Sequence, residues 1–93
     1  MSLLADARAT LMPGFVGTEL PDWMAALLAD GLVSCCLYGE NVVDPAQLRR
    51  LSDAVRAVRP DAIVALDEEG GDVTRVHYGA GSPFPGAAVL GRA

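Results

Sequence analysis

Two short stretches of the chain are apolar almost without interruption, Leu32–Tyr38 and Ala62–Leu66. Runs of this length, flanked by Gly31, Gly39 and Pro60, read as strands buried on both faces. Between them Leu48, Leu51, Val55 and Val58 recur at helical spacing. That helix has a well-marked start: Asp44 as N-cap, Pro45 at the first helical position and Gln47 three residues after the cap. Pro60 stops it, because the residue before a proline is pushed out of the helical region. Upstream, Ser2 to Leu11 suits a short helix with Leu3, Leu4, Ala7 and Leu11 on one stripe, ended by Pro13-Gly14. Phe15-Val16 is a very short apolar run and predicts a first strand. Pro21 to Asp30 reads as a second helix with Gly31 at its left-handed cap and a core face of Trp23 and Leu27. After Arg75, the glycines and prolines at 79, 81, 83, 85 and 86 predict a loop. A further element is expected to open at Val89-Leu90.

The predicted order is strand, helix, strand, helix, strand. Strands apolar on both faces, alternating with amphipathic helices, imply α/β architecture with a parallel sheet covered on both sides. The 93 residues amount to at most one small domain. No repeat, linker or low-complexity segment divides them. A three-stranded parallel unit leaves bare edges, so residues 1–93 are expected to be the opening βαβαβ portion of a larger barrel or doubly wound sheet. Composition agrees. Hydrophobic residues make up 52% and aromatics 5%, with a mean hydropathy of +0.32. A small chain leaves much of its surface wet, and this excess of aliphatic sequence calls for cover. Self-association of the incomplete sheet is the expected result for the isolated chain.

The net charge is −5, with seven arginines and no lysine. That balance argues against a nucleic-acid partner, whose phosphates need a basic footprint. Arg49, Arg50, Arg56 and Arg59 fall on one predicted helix and read as its solvated face. The adjacent Cys35 and Cys36 point to opposite faces of a strand and read as free thiols. No metal-ligand spacing is present. The N-terminus lacks a basic start and a long apolar stretch, which argues against a signal peptide. Nowhere do eighteen apolar residues run together, so no membrane partner is expected and a cytoplasmic location is the default.

The chemistry concentrates in Ala65-Leu66-Asp67-Glu68-Glu69-Gly70-Gly71-Asp72-Val73-Thr74-Arg75. A buried strand runs into three carboxylates, a double-glycine turn and a guanidinium. Ligands bind at the carboxyl ends of parallel strands, where an exposed loop stands on a fixed base. The residues alone leave several readings open. Asp67 and Glu69, about 6.5–7 Å apart at Cα if the strand persists, approach the separation of about 5–5.5 Å used by retaining glycosidases. Three acids also suit a divalent cation. Alternatively they simply solvate a strand end. His77, the one histidine, has no partner at triad spacing. Tyr78 and Phe84 are candidates for a wall against a sugar face or a cover for the barrel mouth.

Several segments occur together in a telling order: Leu11 to Gly17, Gly31-Leu32-Val33, Leu37 to Val42, Gln47-Leu48 with Leu51, Asp67 to Gly71 with Val73 and Arg75, and Phe84-Pro85. This resembles the N-terminal domain of glycoside hydrolase family 3, most of all its β-N-acetylhexosaminidase branch. The resemblance covers about Leu11 to Gly91. Its most specific part is the Asp-x-Glu-Gly-Gly-x-Val-x-Arg element. It implies a (β/α)8 TIM-type barrel, of which this chain would hold the first strands, and retaining hydrolysis of a terminal β-linked N-acetylhexosamine. Asp67 and Arg75 would bind the carbohydrate substrate, the carboxylate accepting hydroxyl protons and the guanidinium donating in a fixed fork. The nucleophile and the acid/base of the family belong to a later strand and loop, so no catalytic residue is expected in this chain. No cofactor or metal is implied.

Three positions depart from the family pattern. Glu68 stands where glutamine is usual, Asp72 where arginine is usual, and Glu40 where a basic residue is common. All three make the site more acidic. An inactive sugar-binding or structural remnant of the same fold is the competing reading. Glu68, between Asp67 and Glu69, is expected to point away from the site and to tolerate change.

Overall fold

The structure, a computed structural model, describes residues 2–93. Among the described residues are four α-helices and two strands, α1 (Leu3–Ala9), α2 (Asp22–Ala29), β1 (Ser34–Leu37), α3 (Pro45–Val58), β2 (Ile63–Leu66) and α4 (Ala87–Arg92), with a 3-10 turn at Gly39–Asn41. The strands are parallel and in direct register, Ser34 opposite Ile63 and Leu37 opposite Leu66. With α3 as the crossover they form one βαβ unit.

The helix signals act as the chemistry requires. Asp44 Oδ1 accepts from Gln47 N at 2.7 Å, and Pro45 opens α3. The Gln47 side chain reaches one residue further than a capping box, its Oε1 accepting from Val43 N at 2.8 Å. Gly31 has φ +115°, and Leu32 N donates to Leu27 O at 2.9 Å. That six-to-one bond is the Schellman ending of α2. Ser2 caps α1, its Oγ accepting from Ala5 N at 3.3 Å, and an Arg8–Asp30 ion pair ties α1 to the end of α2.

The core joins Met24 and Leu28 of α2, Leu51 and Val55 of α3, and Cys35 and Leu37 of β1, with Phe15, Leu32 and Ala62. Fully burying one such aliphatic side chain stabilises by about 1.5–3 kcal/mol. This corrects the expected face of α2: Trp23 is 52% exposed, whereas Met24 and Leu28 are fully buried. Residues 23–29 are all apolar, so their pattern fixes no phase, and the indole keeps its N–H near water. The apolar stripe of α1 is also exposed, with none of its residues in the core. On α3, Arg59 leaves the solvated face. It pairs with Asp61 at 3.1 Å and reaches Leu28 O at 3.4 Å.

The predicted five-element order is also corrected. Phe15-Val16 is not a strand, and among the described residues the sheet has two strands. The preceding segment nonetheless lies along the free edge of β1. Cys36 N donates to Pro13 O at 3.0 Å, and Ser34 Oγ donates to Leu11 O at 2.8 Å. Pro13 has no N–H to return, so no regular ladder forms. Two buried side chains then anchor the segment to the end of β1. Asn41 Nδ2 donates to Phe15 O at 3.0 Å and to Gly17 O at 2.6 Å, while its Oδ1 accepts from Tyr38 N at 2.8 Å. Gln47 Nε2 donates to Thr18 O at 2.8 Å and to Asn41 O at 2.9 Å. Every polar arm of this pair is used, as a buried network requires.

Candidate functional site

Strand β2 ends at Leu66, so Asp67, Glu68 and Glu69 belong to the loop beyond it. Strand alternation does not continue through them, and Asp67 and Glu69 are not a pair on one strand face. The chain instead turns back at once. Glu69 N and Gly70 N donate to Val73 O at 3.0 and 3.1 Å, and Val73 N returns a bond to Gly70 O at 3.2 Å. Gly70 and Gly71 have φ of +81° and +57°. At Gly70 the need for glycine is twofold, because a Cβ there would lie 2.5 Å from Pro85 O. Gly71 N donates to Phe84 O at 2.9 Å, so the segment around Phe84-Pro85 backs the turn.

The turn brings the two predicted sugar-binding residues together. Arg75 Nη2 lies 3.8 Å from Asp67 Oδ2. That is ion-pair distance but longer than a hydrogen bond. Among the described residues Asp67 accepts no hydrogen bond, and the buried Nε of Arg75 has no partner. A carboxylate and a guanidinium that stand side by side without spending their hydrogen bonds on each other can both serve a ligand hydroxyl. Arg75 also lines a hollow of about 420 Å³ between Gly39, Val42 and Val43 on one side and Thr74–Val76, Tyr78 and Gly79 on the other.

Glu68 is tied into the loop by its carboxylate. Oε2 accepts from Thr74 Oγ1 at 2.6 Å, and Oε1 accepts from Arg75 N at 2.5 Å and Val76 N at 3.2 Å. These bonds, Thr74 first, hold its carboxyl below the ordinary value of 4.5, with the charge of His77 adding to the effect and partial burial opposing it. With Glu68 turned toward 74–76, the three acids do not converge. No cluster of three potential metal ligands occurs among the described residues.

Tyr38 follows the last residue of β1 as Asp67 follows the last residue of β2, and a Cβ on Gly14 would lie 3.0 Å from its ring. Its hydroxyl pKa is pushed up, first by hydrogen bonding with Cys36, then by the Cys36 charge and burial, and finally by Asp67. Tyr78 and Phe84 are both exposed. His77 sits in the loop, its N–H donating to Thr74 Oγ1 at 3.0 Å.

No protein-family model matches the chain. Individual proteins do. The β-hexosaminidase of Alkalilimnicola ehrlichii is 41% identical over 87 residues, covering 88% of this chain and 25% of that protein. The structure of a glycoside hydrolase family 3 β-N-acetylglucosaminidase from Paenibacillus sp. superposes with a TM-score of 0.82 at 27% identity, over 98% of this chain and 18% of that one. The chain matches the N-terminal region of glycoside hydrolase family 3. A further family-3 neighbour is NagZ from Neisseria gonorrhoeae, solved in complex with N-trifluoroacetyl-D-glucosamine, with a TM-score of 0.74 at 28% identity. It is matched over 88% of this chain and 25% of its own. The chain spans 13% to 25% of the length of the β-hexosaminidases it matches.

Proposed function

We propose that residues 1–93 are the opening part of a (β/α)8 barrel in a retaining glycosidase acting on a terminal β-linked N-acetylhexosamine. Asp67 and Arg75 hold the non-reducing sugar through its hydroxyls. The nucleophile and the acid/base are supplied by other parts of the whole protein, so the isolated chain is inactive and takes part in binding only. The observation that carries this reading is the Asp67–Arg75 juxtaposition of 3.8 Å at the carboxyl end of a parallel strand. Its orientation is fixed by a turn that only glycine permits. The relatives support the sugar class: they are β-hexosaminidases, and one family-3 neighbour was solved with an N-acyl glucosamine.

The test uses the whole protein and an aryl β-N-acetylglucosaminide. A charged hydrogen bond to a sugar hydroxyl is worth about 1.5–3 kcal/mol. Asp67→Ala and Arg75→Ala should therefore each lower kcat/KM about ten- to a hundred-fold, and the product should be released first as the β-anomer. Sugar binding without turnover would assign the protein to the inactive remnant class. Unchanged kcat/KM in Asp67→Ala would remove the binding role.

A further inference from the structure

We propose that Glu68 is the positioning residue of this site, setting the place of Arg75 through the backbone; the inference rests on the sugar-binding reading of Arg75. Three successive residues donate to one carboxylate. Thr74 gives its hydroxyl to Oε2, and Arg75 and Val76 give their amides to Oε1. The middle residue of the three is the one whose side chain faces Asp67. Thr74 is buried and fastened a second time, its Oγ1 accepting from His77 N. The carboxylate therefore spans residues 74 to 76, and Thr74 carries the link on to His77.

The guanidinium needs such an anchor. Its Nε has no partner, and its Nη2 stops 3.8 Å short of Asp67 Oδ2. Among the described residues no hydrogen bond at the head of the side chain fixes it, so its aim depends on where the side chain leaves the backbone. Glu68 holds that point. An ionised carboxylate suits the task because it only accepts, and all three groups offered to it are donors. Asp72, in the same loop, makes no side-chain bond that could substitute. A glutamine in place of Glu68 keeps Oε1 for both amides, and its Nε2 can donate to the Thr74 hydroxyl, so the geometry survives the loss of charge. Alanine offers nothing.

The experiment is steady-state kinetics of the whole protein on an aryl β-N-acetylglucosaminide, with Glu68→Ala, Glu68→Gln, Arg75→Ala and the double variant Glu68→Ala/Arg75→Ala. Loss of uniform binding appears in KM. Glu68→Ala should raise KM about tenfold, the scale of one charged hydrogen bond, and leave kcat within about twofold. Glu68→Gln should restore most of the affinity. In the Arg75→Ala background, Glu68→Ala should add almost nothing, because the residue it positions is gone. Thr74→Val, which removes only the Oε2 bond, should show a smaller rise in KM and covers the case in which Glu68→Ala does not fold. Multiplicative effects of Glu68→Ala and Arg75→Ala would overturn the inference. So would a Glu68→Gln variant as impaired as alanine, or a loss confined to folded yield in both Glu68→Ala and Thr74→Val. Wild-type protein that neither cleaves nor binds N-acetylglucosamine would remove the glycosidase reading and this inference with it. Wild-type turnover with a silent Glu68→Ala would remove the inference alone.

Discussion

At the scale of single residues, the charge on Glu68 has a consequence for acid sensitivity. Its carboxyl is held below 4.5 in the folded protein. A depressed carboxyl stabilises the fold above the unfolded value, and that contribution is lost as pH falls through the folded value. The Thr74–Val76 turn should therefore loosen as the pH drops below about 4.5, where Glu68 takes up a proton and becomes a poorer acceptor. Amide resonances of Arg75 and Val76 followed by NMR through that range should shift in the wild type and stay in place in Glu68→Gln. Wild-type resonances that do not move would show that the bonds to Glu68 do not depend on its charge. The sequence marked Glu68 as unusual but did not show its partners. Period-two alternation was carried three residues past Leu66, where the strand stops, and the donors lie six to eight residues beyond Glu68. Asn41 was legible only as part of a resemblance. A lone asparagine after a strand does not reveal that its side chain will hold the carbonyls of Phe15 and Gly17.

At the scale of elements, what was legible is what local chemistry decides. Asp44, Pro45 and Gln47 specify the start of α3 without help from the rest of the chain, and Gly31 specifies the end of α2. The phase of α2 was not legible, because residues 23–29 are apolar on every side and only packing against α3 and β1 selects Met24 and Leu28. The run Phe15-Val16 failed as a strand for a related reason: pairing depends on the partner edge, and Pro13 offers it a carbonyl but no N–H. The motif turn is intermediate, since the double glycine announced a tight bend but not what lies against it. Two glycines separate the backbone requirement from the packing requirement. Gly81 has φ +83° and open space where a Cβ would go, whereas Gly70 has φ +81° and Pro85 O at 2.5 Å. Gly81→Ala should cost about 1–2 kcal/mol, the penalty of the left-handed region alone. Gly70→Ala should cost clearly more and displace the 84–86 segment. Denaturant unfolding of both variants checks this, and equal losses would show that Pro85 yields freely.

At the scale of the whole molecule, the core lies on one side of a two-stranded sheet. Cys35 and Leu37 are enclosed by α2 and α3, while β2 has an open outer edge and Ile63 is 58% exposed. Leu3 and Val16 are exposed at 87% and 82%. Open edges beside apolar surface template pairing between chains. The isolated chain 1–93 should therefore sediment as a mixture of associated species, and a single monomeric boundary with a cooperative melt would contradict this. The sidedness of the sheet also separates the two sulfurs of β1. Cys35 is buried, with its thiol pKa raised by that burial and, to a lesser degree, by the charge of Cys36. Cys36 is only partly covered and free. A maleimide or nitroxide reagent applied to the native chain 1–93 meets one accessible thiol among the described residues, and the attached probe projects from the face that continues to Tyr38 and, across the register, lies opposite Ala65. The chain thus provides a single-site spectroscopic reporter in register two residues before Asp67, with no engineered cysteine.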